Sequence, residues 1–283
     1  MGIQRLSEAV TAAPLHLIDG IVAGGVDLYV FRDGDPVSSH LSRGLVWHPP
    51  VVKILAQMIA PGWVFVDVGA HIGLFSITAA KAAAPAGRVI CFEPDPMNRA
   101  VLALNARQNR VDLDIRGCAI AAEAGEATLF TSNDNRAIHS IVPEPRLEPS
   151  GVVATSTLER ELADLDRLDV IKLDVQGAEP DIVAGIGDFL VRFERAPVVI
   201  MEVNPRGWVQ RDPNMAALQA FMKRYRYDLH VLIGSEGERL VPPPVTWSTF
   251  TAICNDFTQY GSGVDDLDVV LWPPPRNERP AGS

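Results

Sequence analysis

The sequence predicts an α/β protein with a doubly wound, mostly parallel seven-stranded sheet, and three observations predict it. From residue 63 onward, short apolar runs alternate with helical patterns, as strand–helix–strand units do. The first run ends in an acid and a glycine turn, VFVDVGAHIG at 64–73, which is how a strand delivers a ligand site at its carboxyl end. The run APVVIMEV at 196–203 has the apolar continuity of a strand buried on both faces.

WVFVDV (63–68) is the first strand, and the Ala-rich GLFSITAAKAAA (73–84) is a good helix former. RVICFE (88–93) is the next strand, and Pro96 opens the helix PMNRAVLALNARQN. DLDIRGCAI (112–120) reads as a third strand and EATLFT (126–131) as a short extra one. LDVIKLDV (168–175) is strand-like and is followed by the helix AEPDIVAGIGDFL, whose early proline fits a first turn. After strand 196–203 come a helix at 213–225 and two late strands, YDLHVLI (227–233) and DLDVVLW (266–272). The Pro-rich stretches at 143–149 and 242–244 read as loops. Right-handed crossovers make such a sheet doubly wound. Residues 1–50 lack the alternation and form a small N-terminal preface packed on a core domain at 51–272, and 273–283 form a disordered tail.

Composition limits the function. Of 283 residues, 47% are hydrophobic and 21% charged, so a folded chain with a sizeable core is expected. Lys and Arg number 25 against 35 Asp and Glu, a formal charge of −10, the wrong sign for a generic nucleic-acid binder. Cys91, Cys118 and Cys254 have no CxxC pairing and no histidine cluster, which argues against disulfides and structural zinc. No apolar run is long enough for a membrane helix. The first twenty residues lack the apolar centre of a signal peptide, so the expectation is a cytoplasmic protein with no membrane or nucleic-acid partner.

The turn at 67–73 has the form D-x-G-x-x-x-G and not the G-x-G-x-x-G that places a pyrophosphate on a helix N-terminus. Asp67 would repel a diphosphate and attract a cation. Glu93 ends the second strand, where a carboxylate can accept from both hydroxyls of a ribose. An acidic glycine turn with a ribose-reading acid fits a cationic nucleoside, S-adenosylmethionine. For the glycines the alternative is a plain turn and close helix–strand packing.

The sequence resembles the FkbM family of S-adenosylmethionine-dependent methyltransferases. The resemblance is carried by FVDVGAHIG (65–73), CFEPDP (91–96), LNARQN (104–109), CAIAAEAGEATLF (118–130) and, most specifically, DVIKLDVQGAEPDIVAG (169–185). It implies the Rossmann-like fold of class I methyltransferases. It also implies that Asp67, Gly69, Ala70, His71 and Gly73 line the methionine portion of the cofactor. Glu93 would hold the ribose, with Pro94 and Asp95 beside the adenine and Cys118 and Ala119 near the base. The acceptor it implies is a small molecule, a sugar or natural-product alcohol methylated on oxygen. Two departures stand out: Gln176 where the family usually has an acid, and His71 where asparagine is common.

Methyl transfer to an alcohol needs alignment, exclusion of water and a base. Lys172 and Asp174 alternate onto one strand face, and Glu202 and Asn204 do the same in the next strand. Asp174 and Glu202 are candidate catalytic groups, and so is His139 in the polar loop 132–140, because histidine titrates near neutrality. The bland readings are helix capping for Asp174 and Glu179, pairing for Lys172, and solvation for His139. A divalent metal is not expected; if one bound, Asp174, Glu202 and Asn204 would hold it. His48 and Trp47 read as packing in preference to closing over the cofactor; Arg206 and Trp208 stand at the rim in the loop after 203, with a core anchor an equal reading for Trp208. Two other readings stay open: an NAD-dependent oxidoreductase, and a non-catalytic binding protein of the same fold. A homodimer is also left open.

Overall fold

The computed structural model describes residues 15–20, 25–32, 36–132, 137–232, 241–260 and 267–275. Strands β1 (Leu15–Ile18) and β2 (Leu28–Phe31) form an antiparallel hairpin. Helix α1 (Pro36–Ser42) follows, then α2 (Pro49–Met58), which starts on a proline pair whose missing N–H groups a first turn does not need. The alternating units are β3 (Val64–Val68), α3 (Leu74–Ala83), β4 (Arg88–Phe92), α4 (Pro96–Asn109) and β5 (Asp114–Arg116). A second group of strands comes next: β6 (Ala119–Ile120), β7 (Gly125–Thr131), β8 (His139–Ser140) and β9 (Glu148–Ser156). After the single-turn α5 (Leu158–Glu161) the alternation resumes with β10 (Val170–Leu173), α6 (Glu179–Ile186), β11 (Val198–Val203), α7 (Pro205–Arg211) and α8 (Ala216–Tyr225). It ends with β12 (Asp228–Val231), α9 (Trp247–Tyr260) and β13 (Leu267–Trp272).

The main sheet has seven strands in the order β12-β13-β11-β10-β3-β4-β5. It is parallel except for β13, which runs antiparallel to both β11 and β12. Alternation along each strand feeds two apolar cores. Val66, Val68, Ile171, Leu173, Val199 and Met201 face α6, α8 and α9. Phe65, Val89, Val170, Val198, Ile200 and Val270 face α2, α3 and the N-terminal hairpin. The sheet is therefore covered on both faces, as the buried apolar runs require.

Several expectations need correction. The run 112–120 is two strands: β5 belongs to the main sheet, while β6 pairs with β9 in a separate four-stranded sheet ordered β6-β9-β7-β8. The chain turns at Gly117, where an added Cβ would lie 2.9 Å from the Arg99 guanidinium carbon. That arginine donates to the carbonyls of Glu93 and Pro94. The nine-residue strand β9 overlaps the stretch read as a Pro-rich loop; its face is so exposed (Val152 is 67% accessible) that no apolar alternation marks it. Residues 205–211 are helical where a loop was expected, and 247–260 form a helix not anticipated above. Helix α2 straddles the boundary drawn at residue 50. Residues 276–283 of the expected tail and 1–14 of the preface lie outside the described residues. Among the described residues no helix is long and apolar enough to cross a membrane.

Two asparagines tie the N-terminal hairpin to the core. Asn105, fully buried on α4, accepts from the Tyr29 N–H at 2.7 Å and donates to the carbonyls of Tyr29 and Ile72. Asn109, one turn on, accepts from the Asp27 N–H and donates to its carbonyl. The LNARQN motif is thus a pair of amide clamps at i and i+4, which share a helix face. Replacing Asn105 by Leu strands three backbone groups, and each unsatisfied group costs roughly 1–3 kcal/mol where it is buried. Asn105→Leu is expected to lower stability by about 2–4 kcal/mol. Urea denaturation reads the loss, and amide hydrogen exchange should speed up first at Tyr29.

Candidate cofactor and acceptor site

Strand order reverses between β3 and β10, and ligands of doubly wound sheets bind outside the carboxyl ends of strands at such a point. A cavity of about 420 Å³ opens there. Its floor is the turn after β3. Gly69 has φ 83°, and an added Cβ would fall 1.8 Å from the Asp174 carbonyl oxygen, so two backbone turns meet there with no room for a side chain. Gly73 has a different task. Its added Cβ would lie 2.3 Å from Leu102 Cδ1, so this glycine lets α3 pack on α4 and does not line the cavity.

At one end of the cavity stands Glu93, a wall residue although almost fully buried. Its Oε2 accepts from the His71 N–H at 2.8 Å and its Oε1 from the Asp95 N–H at 2.9 Å. Burial pushes the Glu93 carboxyl up to about 7 despite these two donors. Each oxygen keeps a lone pair for a ligand hydroxyl. Ala70, His71, Pro94, Cys118 and Ala119 lie around the same cavity, and the second sheet adds Leu129 and His139 to the wall. Asp95 does not reach it. Its carboxylate caps α4, accepting from the N–H groups of Met97 and Asn98. His139 stands 3.4 Å from Asn98 on the first turn of that helix.

The other end is built on a polar row across one face of the sheet. In the ladder Lys172 is opposite Asp67, and Glu202 is opposite Asp268. Asp67 is 0% accessible. Its Oδ2 accepts from the Ser76 hydroxyl at 2.6 Å, and among the described residues Oδ1 has the Lys172 ammonium 3.7 Å away and no hydrogen-bond donor. The expectation that Asp67 lines the cofactor pocket is therefore corrected: it lies behind the wall, where burial raises its pKa. Lys172 reaches forward to Asp174 Oδ2 at 2.9 Å and sits 4.6 Å from the centroid of Phe75. Burial alone would raise the Asp174 carboxyl, but the ammonium outweighs it and holds the acid at about 2.

The VQGAE segment folds around its own glutamate. Glu179 turns back and accepts from the N–H groups of Val175 and Gly177 at 2.7 and 2.8 Å. Gln176 and Gly177 both take positive φ, 57° and 107°. In this turn the Gln176 amide donates to Asp174 Oδ1 at 2.9 Å and to Glu202 Oε2 at 2.5 Å. Asp174 and Glu202 do converge, as their strands suggested, and Gln176 joins them. An acid at 176 would set three carboxylates together. Asn204, named with Asp174 and Glu202 as a holder only if a metal bound, caps α7 by accepting from the Gly207 N–H. Of the two readings of Trp208, rim and core anchor, the second fits: it is 2% accessible and packed in the core; the side chain of Arg206 lies outside the described residues.

One residue underestimated by sequence reasoning is His48. It lines the cavity, with Nδ1 2.6 Å from Asp268 Oδ2. His48, Glu202 and Asp268 bring donor atoms within 4.8 Å of one another. Within this group His48 Nδ1 is hydrogen-bonded to Asp268 Oδ2, and Glu202 Oε2 accepts from Gln176. Asp268 carried a signal: in DLDVVLW it shares the strand face of buried Val270. Breaking a buried ion pair by removing one partner typically costs about 3–5 kcal/mol. Lys172→Met is expected to fall in that range in urea denaturation, and adding Asp67→Asn should recover part of the loss.

Residues 67–229, more than half of the chain, match the FkbM methyltransferase domain. Methyltransferase sdnD of Sordaria araneosa is 26% identical over 156 residues, 44% of this chain and 60% of that protein. The 31-O-demethyl-FK506 methyltransferase FkbM of Streptomyces tacrolimicus is 28% identical over 180 residues, 52% of this chain and 67% of that protein. The chain thus spans about 60% of the length of sdnD. Among solved structures, M. jannaschii TYW2 in complex with AdoMet aligns with a TM-score of 0.45 at 14% identity, over 92% of this chain and 85% of that one. That likeness is too distant to bear on chemistry. The family match rests on the stretch that builds the turns after β3 and β10, and the chain belongs to the FkbM methyltransferase family.

Proposed function

We propose that this protein is an S-adenosylmethionine-dependent methyltransferase acting on the hydroxyl oxygen of a small acceptor, a sugar or natural-product alcohol. The observation that carries the reading is the cavity at the switch point, with Glu93 at one end and Asp174, Gln176 and Glu202 at the other. The residues fit the nucleoside. Glu93 is held by two backbone N–H groups with lone pairs to spare for a ribose diol, and Pro94, Cys118 and Ala119 give an apolar setting for the base. Bound there, the cofactor supplies an electrophilic methyl group on a sulfonium.

The wall charges agree with a cationic ligand. The acids Glu93, Asp174 and Glu202 stand against the single arginine Arg146 on the described wall, with His48, His71 and His139 besides. A diphosphate would meet this acid excess with no cradle of cations. The acid held at about 2 by Lys172 is an anion at every working pH and suits orientation of a donor group better than proton abstraction. Oxygen as the acceptor atom is supported by the name of the FK506 relative, a 31-O-demethyl substrate. The assignment of a sugar or secondary metabolite rests on the same analogy.

S-adenosylhomocysteine is expected to raise the melting temperature and NAD to leave it unchanged, because a ligand that binds only the native state stabilises it. The reverse pattern would remove the methyltransferase reading. Glu93→Ala should abolish the shift. Since the ribose needs the ionised carboxylate and Glu93 sits at about 7, affinity should fall as pH drops below 7, approaching about tenfold per unit. In Glu93→Gln affinity should be weaker and flat between pH 5 and 8. Isothermal calorimetry across that range checks both statements.

A further inference from the structure

We propose that His48 is the general base that takes the proton of the acceptor hydroxyl, and that Asp268 is the positioning residue that fixes its tautomer. This deepens the methyltransferase reading above and rests on it. A carboxylate can only accept, so in the 2.6 Å contact His48 Nδ1 is the donor and Asp268 Oδ2 the acceptor. When the ring is neutral, Nε2 therefore carries the lone pair. Nε2 has no hydrogen-bond partner among the described residues, and the side chain is 24% accessible on the cavity wall.

The ring is held from several sides. Its backbone is left-handed (φ 42°), directly before Pro49. Trp47 lies against it at 5.1 Å between centroids, and Phe75 meets it edge-on at 6.5 Å. Asp268 is itself fixed in the sheet, opposite Glu202. The other candidates are committed elsewhere. Both oxygens of Asp174 accept, from Lys172 and Gln176. Glu202 accepts from Gln176, and His139 stands beside Asn98 at the start of α4.

The charged groups facing His48 are Asp268 from β13, Lys172 in β10 with Asp174 just after it, and Glu202 from β11. Burial lowers the histidine pKa and so does Lys172, but the Asp268 hydrogen bond and charge outweigh them, with help from Asp174. The result lies above the ordinary 6.5, which makes His48 a stronger base than a free imidazole. In the step, Nε2 takes the hydroxyl proton as the oxygen forms its bond to the methyl carbon. The methyl–sulfur bond breaks, and its electron pair stays on sulfur, which becomes a neutral thioether. His48 ends as an imidazolium stabilised by Asp268 and returns its proton to solvent.

The test has three arms on the full chain. Long-range ¹⁵N–¹H spectra should show the Nδ1–H tautomer for neutral His48, and Asp268→Asn should lower its titration midpoint. An Nε2–H tautomer, or a midpoint unmoved in Asp268→Asn, overturns the proposal. In the second arm, methyl-labelled S-adenosylmethionine is offered with a pool of sugars, polyols and macrocyclic alcohols. His48→Ala and the near-isosteric His48→Gln should lose about 10²–10⁴-fold in kcat, with little change in KM for the cofactor, and lose the acidic limb of the pH profile. Asp268→Asn should lose less and move that limb to lower pH. Retention of wild-type kcat within about threefold in both His48 variants overturns the proposal. So does a wild-type activity that EDTA abolishes and Mn²⁺ restores, which would make His48 a metal ligand. The third arm is calorimetry with S-adenosylhomocysteine. Unchanged affinity in the His48 variants confirms an intact fold, whereas no binding to wild type removes the methyltransferase reading itself. Should the pool yield no product, the spectra alone decide.

Discussion

The buried ammonium of Lys172 is the constraint on which the site depends. It stands between one acid sealed in the core, Asp67, and one on the cavity wall, Asp174, with the Phe75 ring beside it. An unpaired ammonium there would be costly to bury, and so would either acid without it. The pairing fixes the ends of β3 and β10 relative to each other at the point where the sheet changes direction, where Gly69 and Asp174 already meet backbone to backbone. Asp174 can therefore be an anion at the rim of a cavity with little freedom to move. Gln176 takes its position from that anion, and Glu202 takes its partner from Gln176.

Much of the main sheet was legible because its signal is local. Continuous apolar runs at 64–68, 170–173 and 198–203 leave little choice but central strands, and Glu93 is marked as a cavity acid by following another, 88–92. What escaped was set by partners far away in sequence. Strand β9 is too exposed to alternate, and its strand character comes from pairing with β7 across a bulge. Asp67 was read as a ligand group because a strand-end acid before a glycine turn has two possible directions, and only the opposite residues Lys172 and Ser76 show that it points into the core. His48 and Asp268 are 220 positions apart, and no spacing rule joins them.

The family's most specific stretch is explained by its own geometry more than by contact with a ligand. In DVQGAE, Glu179 spends both oxygens on the N–H groups of Val175 and Gly177 and so closes a turn containing two residues with positive φ. Ser140 donates its hydroxyl to the Gln176 carbonyl, linking that turn to the second sheet. LNARQN works the same way, as two amides clamping the N-terminal hairpin. Both motifs are scaffolding, and they present Gln176 and the cavity wall from behind.

Replacing an acid by glutamine at 176 changes the charge of the site in a direction that suits the chemistry drawn for it. Asp174 and Glu202 are both acceptors when ionised, and they approach each other closely enough to share one amide. A third carboxylate between them would raise the pKa values of all three or demand a cation to hold them. The amide instead donates to both carboxylates and so links them. With Asp174 and Glu202 satisfied in this way, neither is a ready proton acceptor. The task falls to His48, whose Nδ1 is turned to Asp268 and whose Nε2 has no hydrogen-bond partner among the described residues.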